Sequence, residues 1–198
     1  MTDLLNTMSA YCRTDSWAVW ETDSNGALTG GTEFPLEQAR ATAHSDTMVV
    51  ALNPGGNGAT AEKRNDWGNF HASEAKHNDI FLANALLGTP FWGGYIADLL
   101  PDVYESDSGE VMPTDAIKTQ AVETLAEKAN RLGASSVLCL GSKTETAVRD
   151  RLALLKEKAG IGPGSVHYVW HYSGANARMH KNDISIYRAH VRDVLGLT

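Results

Sequence analysis

The sequence predicts an α/β fold: a single domain over residues 1–198 with a central four-stranded parallel sheet and helices on both faces. Four short apolar runs point to it, at 47–52 (TMVVAL), 94–99 (GYIADL), 136–140 (SVLCL) and 165–170 (SVHYVW), each separated from the next by helical pattern. Parallel strands need such crossovers, because the chain must return to the same end of the sheet before it pairs again. The runs at 47–52 and 136–140 show no polar alternation, as expected of strands covered on both faces. A chain of 198 residues with 42% hydrophobic content also holds enough apolar surface for one sizeable core.

The remaining elements follow in order. Two helices, near 3–13 and 35–44, precede or flank the first strand and pack outside. A third pattern covers 76–87. Over 114–132, Ile117, Ala121, Leu125, Ala129 and Leu132 recur at steps of three and four and make one apolar face. Pro113 stands before that helix and Gly133 ends it, in the usual asymmetry. A helix over 143–159 leads into the turn at Gly160–Gly164, and another spans 183–195 after the last strand. Residues 102–110 (DVYESDSGE) read as an acidic surface loop.

Composition narrows the function classes. No stretch is apolar enough for a bilayer, and no basic segment followed by an apolar run opens the chain, so a cytoplasmic protein without a signal peptide is expected. Cys12 and Cys139 show no ligand spacing and read as reduced thiols; a cluster held by cysteines alone would need four. The net charge of −7 argues against a generic nucleic-acid binder. Its distribution is uneven. Residues 1–110 hold 5 basic and 16 acidic side chains, whereas residues 111–198 hold 12 basic and 8 acidic, among them Arg178, Lys181, Arg188 and Arg192. A phosphate backbone would lie over the second half.

Two loops carry the chemistry. Asn53-Pro54-Gly55-Gly56-Asn57-Gly58 follows the first strand. It lacks the Gly-Lys-Ser/Thr ending of a P-loop and the G-x-G-x-x-G spacing of dinucleotide folds. His171-Tyr172-Ser173-Gly174-Ala175-Asn176, with Arg178 beyond it, follows the last strand. A strand ending in Asn-Pro-Gly and a final strand ending in His-x-Ser-Gly resemble the two signature motifs of the uracil-DNA glycosylase superfamily. The first is similar to G-x-N-P-G and the second to H-P-S-G or H-P-S-P. The segment from Phe70-His71 through His77-Asn78-Asp79 to Gly93-Gly94-Tyr95-Ile96-Ala97-Asp98 resembles bacterial members of that superfamily, and the likeness covers about residues 47–195. Three departures stand out: Ala51 replaces a glycine, Tyr172 the usual proline, and Ala175 a bulky residue that wedges into the duplex.

The resemblance implies hydrolysis of an N-glycosidic bond without a cofactor. It places Asn53 on the attacking water through its amide oxygen, and His171 on the base oxygen as a hydrogen-bond donor. A well-placed donor lowers such a barrier by about 3–4 kcal/mol. An asparagine orients water without acting as a true base, so a slow enzyme is expected. Ser173 and Gly174, through their backbone amides, and Arg178 and Lys181, by charge, are the expected phosphate contacts, with Arg178 a candidate wedge. Phe70, or else Trp67, is expected to stack on the base. Gly55 stands where strict uracil enzymes carry a tyrosine that blocks the C5 edge, so that edge is expected to be open. Asp98, read as an ionised carboxylate, accepts hydrogen bonds only and suits the exocyclic amine of cytosine. Core or turn roles for Phe70 and Asp98 remain alternatives. The remaining histidines, His44, His71, His77, His167, His180 and His190, show no ligand spacing, and no metal is expected.

The expected function is therefore a monomeric DNA glycosylase that flips out a pyrimidine, such as a C5-modified cytosine, from single- or double-stranded DNA. The alternatives are a non-catalytic nucleic-acid or nucleotide-binding member, and an N-glycosidase on free nucleotides or RNA.

Overall fold

The computed structural model describes residues 4–31, 33–55, 62, 64–72, 78–105, 107 and 109–197. In chain order the elements are α1 (Leu4–Thr7), a 3-10 turn (Ser9–Tyr11), β1 (Ser16–Trp17), α2 (Leu36–Thr42), β2 (Thr47–Ala51), α3 (Asp79–Leu86) and β3 (Tyr95–Asp98). There follow α4 (Asp115–Leu132), β4 (Ser136–Leu140), α5 (Ser142–Arg149), α6 (Leu152–Ala159), β5 (Val166–Val169), α7 (Ala177–His180) and α8 (Ile184–Val194).

The protein is α/β, with one sheet in the order β1-β3-β2-β4-β5. The four expected strands are present and mutually parallel. The sheet has five strands rather than four, because Ser16 and Trp17 add an antiparallel edge against Ile96 and Tyr95. Two residues are too few to show a period. Contacts made elsewhere hold them: the Trp17 ring lies edge-on to Tyr95 at 5.0 Å, and Ser16 Oγ donates to the Trp67 carbonyl at 2.6 Å.

Strand alternation divides the core. Met48, Val50, Tyr95, Ala97, Val137 and Cys139 face a cluster completed by α4, α5 and α6. Val49, Ala51, Ile96, Leu138, Leu140 and Val169 face another, completed by α3 and α8. Helices therefore cover both faces, as the continuous apolar strands require. The α4 boundaries follow their signals: Thr114 Oγ1 accepts the Ile117 N–H at 3.3 Å, and Gly133 closes the helix with φ 74°.

The pattern over 143–159 forms two helices rather than one. At the break Arg151 reaches across to α4, donating to Thr119 Oγ1 at 3.0 Å and to the Asp115 carbonyl at 3.1 Å. No glycine or proline marks that break. None of the helices among the described residues is long and apolar enough to cross a membrane.

Lys128 projects from α4 into the interior, 4% exposed, and pairs with the fully buried carboxylate of Asp15. The Tyr95 hydroxyl donates to the same Asp15 oxygen at 2.7 Å, and the Tyr11 ring lies 4.4 Å from the Lys128 ammonium. One ion pair thus ties the N-terminal segment, β3 and α4 together. Removing either partner strands a buried charge. Asp15→Ala should lower stability by about 3–5 kcal/mol, and Asp15→Leu combined with Lys128→Met should recover most of that loss. Urea unfolding of the two variants checks both outcomes.

Candidate active site

The chain leaves β2 toward β3 on one side and re-enters the sheet at β4 on the other. The crevice at such a switch point, beyond the carboxyl ends of the strands, is where doubly wound sheets bind ligands. Asn53 lies two residues beyond β2, and His171 two residues beyond β5. With β4 between them, their strands are about 10 Å apart, two steps of the inter-strand spacing. Gly141 ends β4 in that gap. A Cβ there would lie 3.4 Å from the His171 Cβ, and its φ of 89° disfavours any side chain.

Asn53 is held by its amide nitrogen, which donates to the carbonyls of Val103 at 3.0 Å and Glu105 at 2.8 Å. Both N–H groups are used, so Oδ1 is the end left to accept from a ligand. The same bonds bring the acidic loop of 102–110 against the site, a proximity that its polar surface pattern did not suggest.

His171 starts from a strand end that α8 clamps. The Trp170 N–H donates to His190 Nε2 at 3.3 Å, and the Tyr187 hydroxyl donates to the Trp170 carbonyl at 2.8 Å. The Ser173 N–H then donates to His171 Nδ1 at 3.1 Å. A nitrogen that accepts carries no proton, so the neutral ring bears it on Nε2. That Nε2–H meets no partner among the described residues. Burial, helped by nearby His180, pulls the His171 pKa down to about 4, so the ring is neutral at pH 7. The sheet edge thus carries a neutral donor after β5 and an amide acceptor after β2, with β4 between their strands.

Protein-family models, curated sequences and solved structures were all compared with the chain, and none matches.

The expected base pocket is partly rearranged. Asp98, at the end of β3, is 4% exposed. Its Oδ2 accepts from Asn69 Nδ2 at 2.9 Å, while the buried Oδ1 has no partner among the described residues. Burial raises its pKa to about 7, against the lowering effects of the Asn69 hydrogen bond and of Arg64. The expectation of an ionised, acceptor-only carboxylate is therefore corrected. At neutral pH roughly half of the molecules carry a carboxylic acid that can donate.

Phe70 is buried in the cluster that contains Ala51 and Tyr172, and its φ of 65° is unusual for an aromatic residue. Trp67, the other stacking candidate, belongs to the opposite cluster, where it packs against Trp17 and Phe34. It is a core residue. Gly55 has a φ of 75°, and a Cβ there would meet no heavy atom of the described residues within 4 Å. Gly56, Asn57, Gly58 and His77 lie outside the described residues.

Tyr172 does the work of the absent proline by other means. Its hydroxyl donates to Asp79 Oδ1 at 3.0 Å, and its carbonyl accepts from Asn78 Nδ2 at 3.2 Å. Asp79 Oδ2 also accepts the Ala72 N–H at 2.8 Å, which ties the Phe70 segment to the His171 loop. Asn69, Asp79, Gly141 and His180 were all missed from sequence. Asn78 and Asp79, inside the quoted middle motif, were the available signal.

On the outer side, Gly174, Arg178 and Lys181 are exposed, and neither Arg178 nor Lys181 forms an ion pair among the described residues. The expected role of Ser173 is corrected in part. Its amide is spent on His171, so only its hydroxyl remains for a phosphate. A cavity of about 380 Å³ between the 97–103 segment and α4 shares Asp98 and Val103 with the site.

The two shifted groups push stability in opposite directions between pH 4 and 7. Asp98 ionises near 7 when folded and near 3.8 otherwise, so its contribution falls as pH rises through that window. His171 protonates near 4 when folded and near 6.5 otherwise, so its contribution falls as pH drops through the same window. Asp98→Asn should therefore unfold at higher urea than wild type at pH 8, with the difference gone by about pH 4.

Proposed function

We propose that this chain is a monofunctional N-glycosylase acting on a pyrimidine flipped out of DNA, with C5-modified cytosine as the preferred base. One observation carries the reading: a neutral His171 whose Nε2–H and an Asn53 whose Oδ1 meet no partner among the described residues stand at one sheet edge, on the strands either side of β4. In the reaction the bond between C1′ of the sugar and N1 of the base breaks, and its electron pair stays on the base. His171 donates to the base oxygen as that charge grows. A neutral donor suits this task, since an environment that holds the ring uncharged requires no proton transfer in the ground state. Asn53 orients the water that adds to C1′, and the water's proton leaves to solvent. Phe70 supplies the stacking wall, Gly55 leaves room at C5, and the orphaned Asp98 Oδ1 meets the base edge. Arg178, Lys181, the Ser173 hydroxyl and the Gly174 amide lie toward the phosphates.

A second reading, hydrolysis of a free nucleoside or nucleotide, is favoured by the acidic loop closing on Asn53, since it repels a polyanion. Oligonucleotides carrying uracil, thymine and 5-substituted cytosines, assayed for abasic sites beside the free nucleosides, separate the two.

His171→Ala and Asn53→Ala should each slow base release at least about a hundredfold while staying folded; near-normal rates in both would remove the assignment. Reversing Arg178 or Lys181 should weaken DNA binding and flatten its salt dependence, as titrations at several ionic strengths would report. Because Asp98 titrates near 7, the rate on 5-substituted cytosine relative to uracil should climb as pH rises from 6 to 8 in wild type. It should stay level in Asp98→Asn.

A further inference from the structure

We infer that His180 is a positioning residue that holds His171 in one orientation and one tautomer through the backbone of Ser173. The inference deepens the proposed function, on which its catalytic meaning rests. His180 is fully buried on α7, between the ring of Phe81 at 5.4 Å and the ring of Tyr187 at 5.8 Å. The Asn182 N–H donates to its Nδ1 at 3.2 Å. A backbone donor leaves no choice of tautomer, so the ring proton sits on Nε2 and is donated to the Ser173 carbonyl at 3.1 Å. From the other side of the same residue, the Ser173 N–H donates to His171 Nδ1. The relay runs from Asn182 through His180 and Ser173 to His171, and each donor dictates the next acceptor.

Two further features show that the relay is built. Lys181 and Asn182 take φ of 55° and 54°, two successive left-handed residues without a glycine. That conformation is disfavoured for a residue with a side chain, and it accompanies the turn that brings the Asn182 amide onto the buried ring. The surroundings of the two histidines are largely aromatic. The rings around them belong to Tyr172, Phe81 and Tyr187, and the nearby carboxylate of Asp79 is engaged by the Tyr172 hydroxyl and the Ala72 amide. Second partners of this kind orient a working histidine by fixing which nitrogen is free.

Ring nitrogen NMR on the full chain tests the relay without any substrate. In wild type His171 should show a bare Nδ1 and a protonated Nε2 from pH 5 to 8, and neutral His180 should show the same tautomer. Either ring found with its proton on Nδ1 would overturn the inference, whatever the variants do. His180→Phe keeps a ring between Phe81 and Tyr187 but removes both hydrogen bonds. It should turn His171 into a mixture of tautomers. His180→Gln offers an amide donor to Ser173 and should restore the single Nε2–H form. A His171 that stays in one tautomer in His180→Phe would sink the inference. Base release should drop ~10- to 100-fold in His180→Phe and recover in His180→Gln. If wild type released no base, the proposed function would fail while the ring states still judged the relay.

Discussion

Parallel pairing of β2 with β4 and of β4 with β5 is the constraint from which the candidate site follows. The registers Val50 to Cys139 and Leu140 to Val169 bring three strands to the same edge within a residue or two of one another. Interior backbone groups must find partners, so each strand stays in the ladder until the sheet ends. Asn53 follows the last β2 residue in the ladder, Gly141 gives its N–H to the Val169 carbonyl as the ladder ends, and His171 comes one residue after Trp170 has left it for α8. Their placement at one edge requires no contact between the two loops themselves. It is a consequence of strand order.

Burial, more than charge pairing, sets the chemistry at that edge. His171 is kept neutral chiefly by desolvation, and Asp98 is kept partly protonated for the same reason. The two shifts have opposite signs because the penalty falls on whichever form is charged. Formal charges stand farther out, with the acidic 102–110 loop closing on Asn53 and the exposed Arg178 and Lys181 beyond Ser173.

The fold was largely legible in the sequence, and the failures are informative. All four parallel strands lie within a residue or so of their expected limits, because continuous apolar runs and turn residues are local signals. β1 was not legible, since two residues have no period and their pairing depends on Trp17 meeting Tyr95. The single helix expected over 143–159 divides where Arg151 is drawn to α4, a long-range contact with no local mark. Among site residues, Asn53 and His171 could be read from short motifs beside strand ends. The charge state of Asp98 could not be read, because it depends on Asn69, Arg64 and the depth of the pocket. Nor could the spent amide of Ser173, since a backbone donor's partner is invisible until the turn is folded.

Patterns of apolar residues and turn formers in the sequence alone determined the layers of this protein, the direction of its strands, and the two loops that carry its polar motifs. Those patterns act over a few residues, and each strand or helix imposes its own period. Tertiary structure alone decided which nitrogen of His171 is free, which end of Asn53 is left to accept, that Trp67 belongs to the core, and that Asp98 titrates near neutrality. Each of these is set by partners distant in sequence. A proton's location and a carboxylate's desolvation energy depend on what surrounds the group in three dimensions, and no local pattern encodes that.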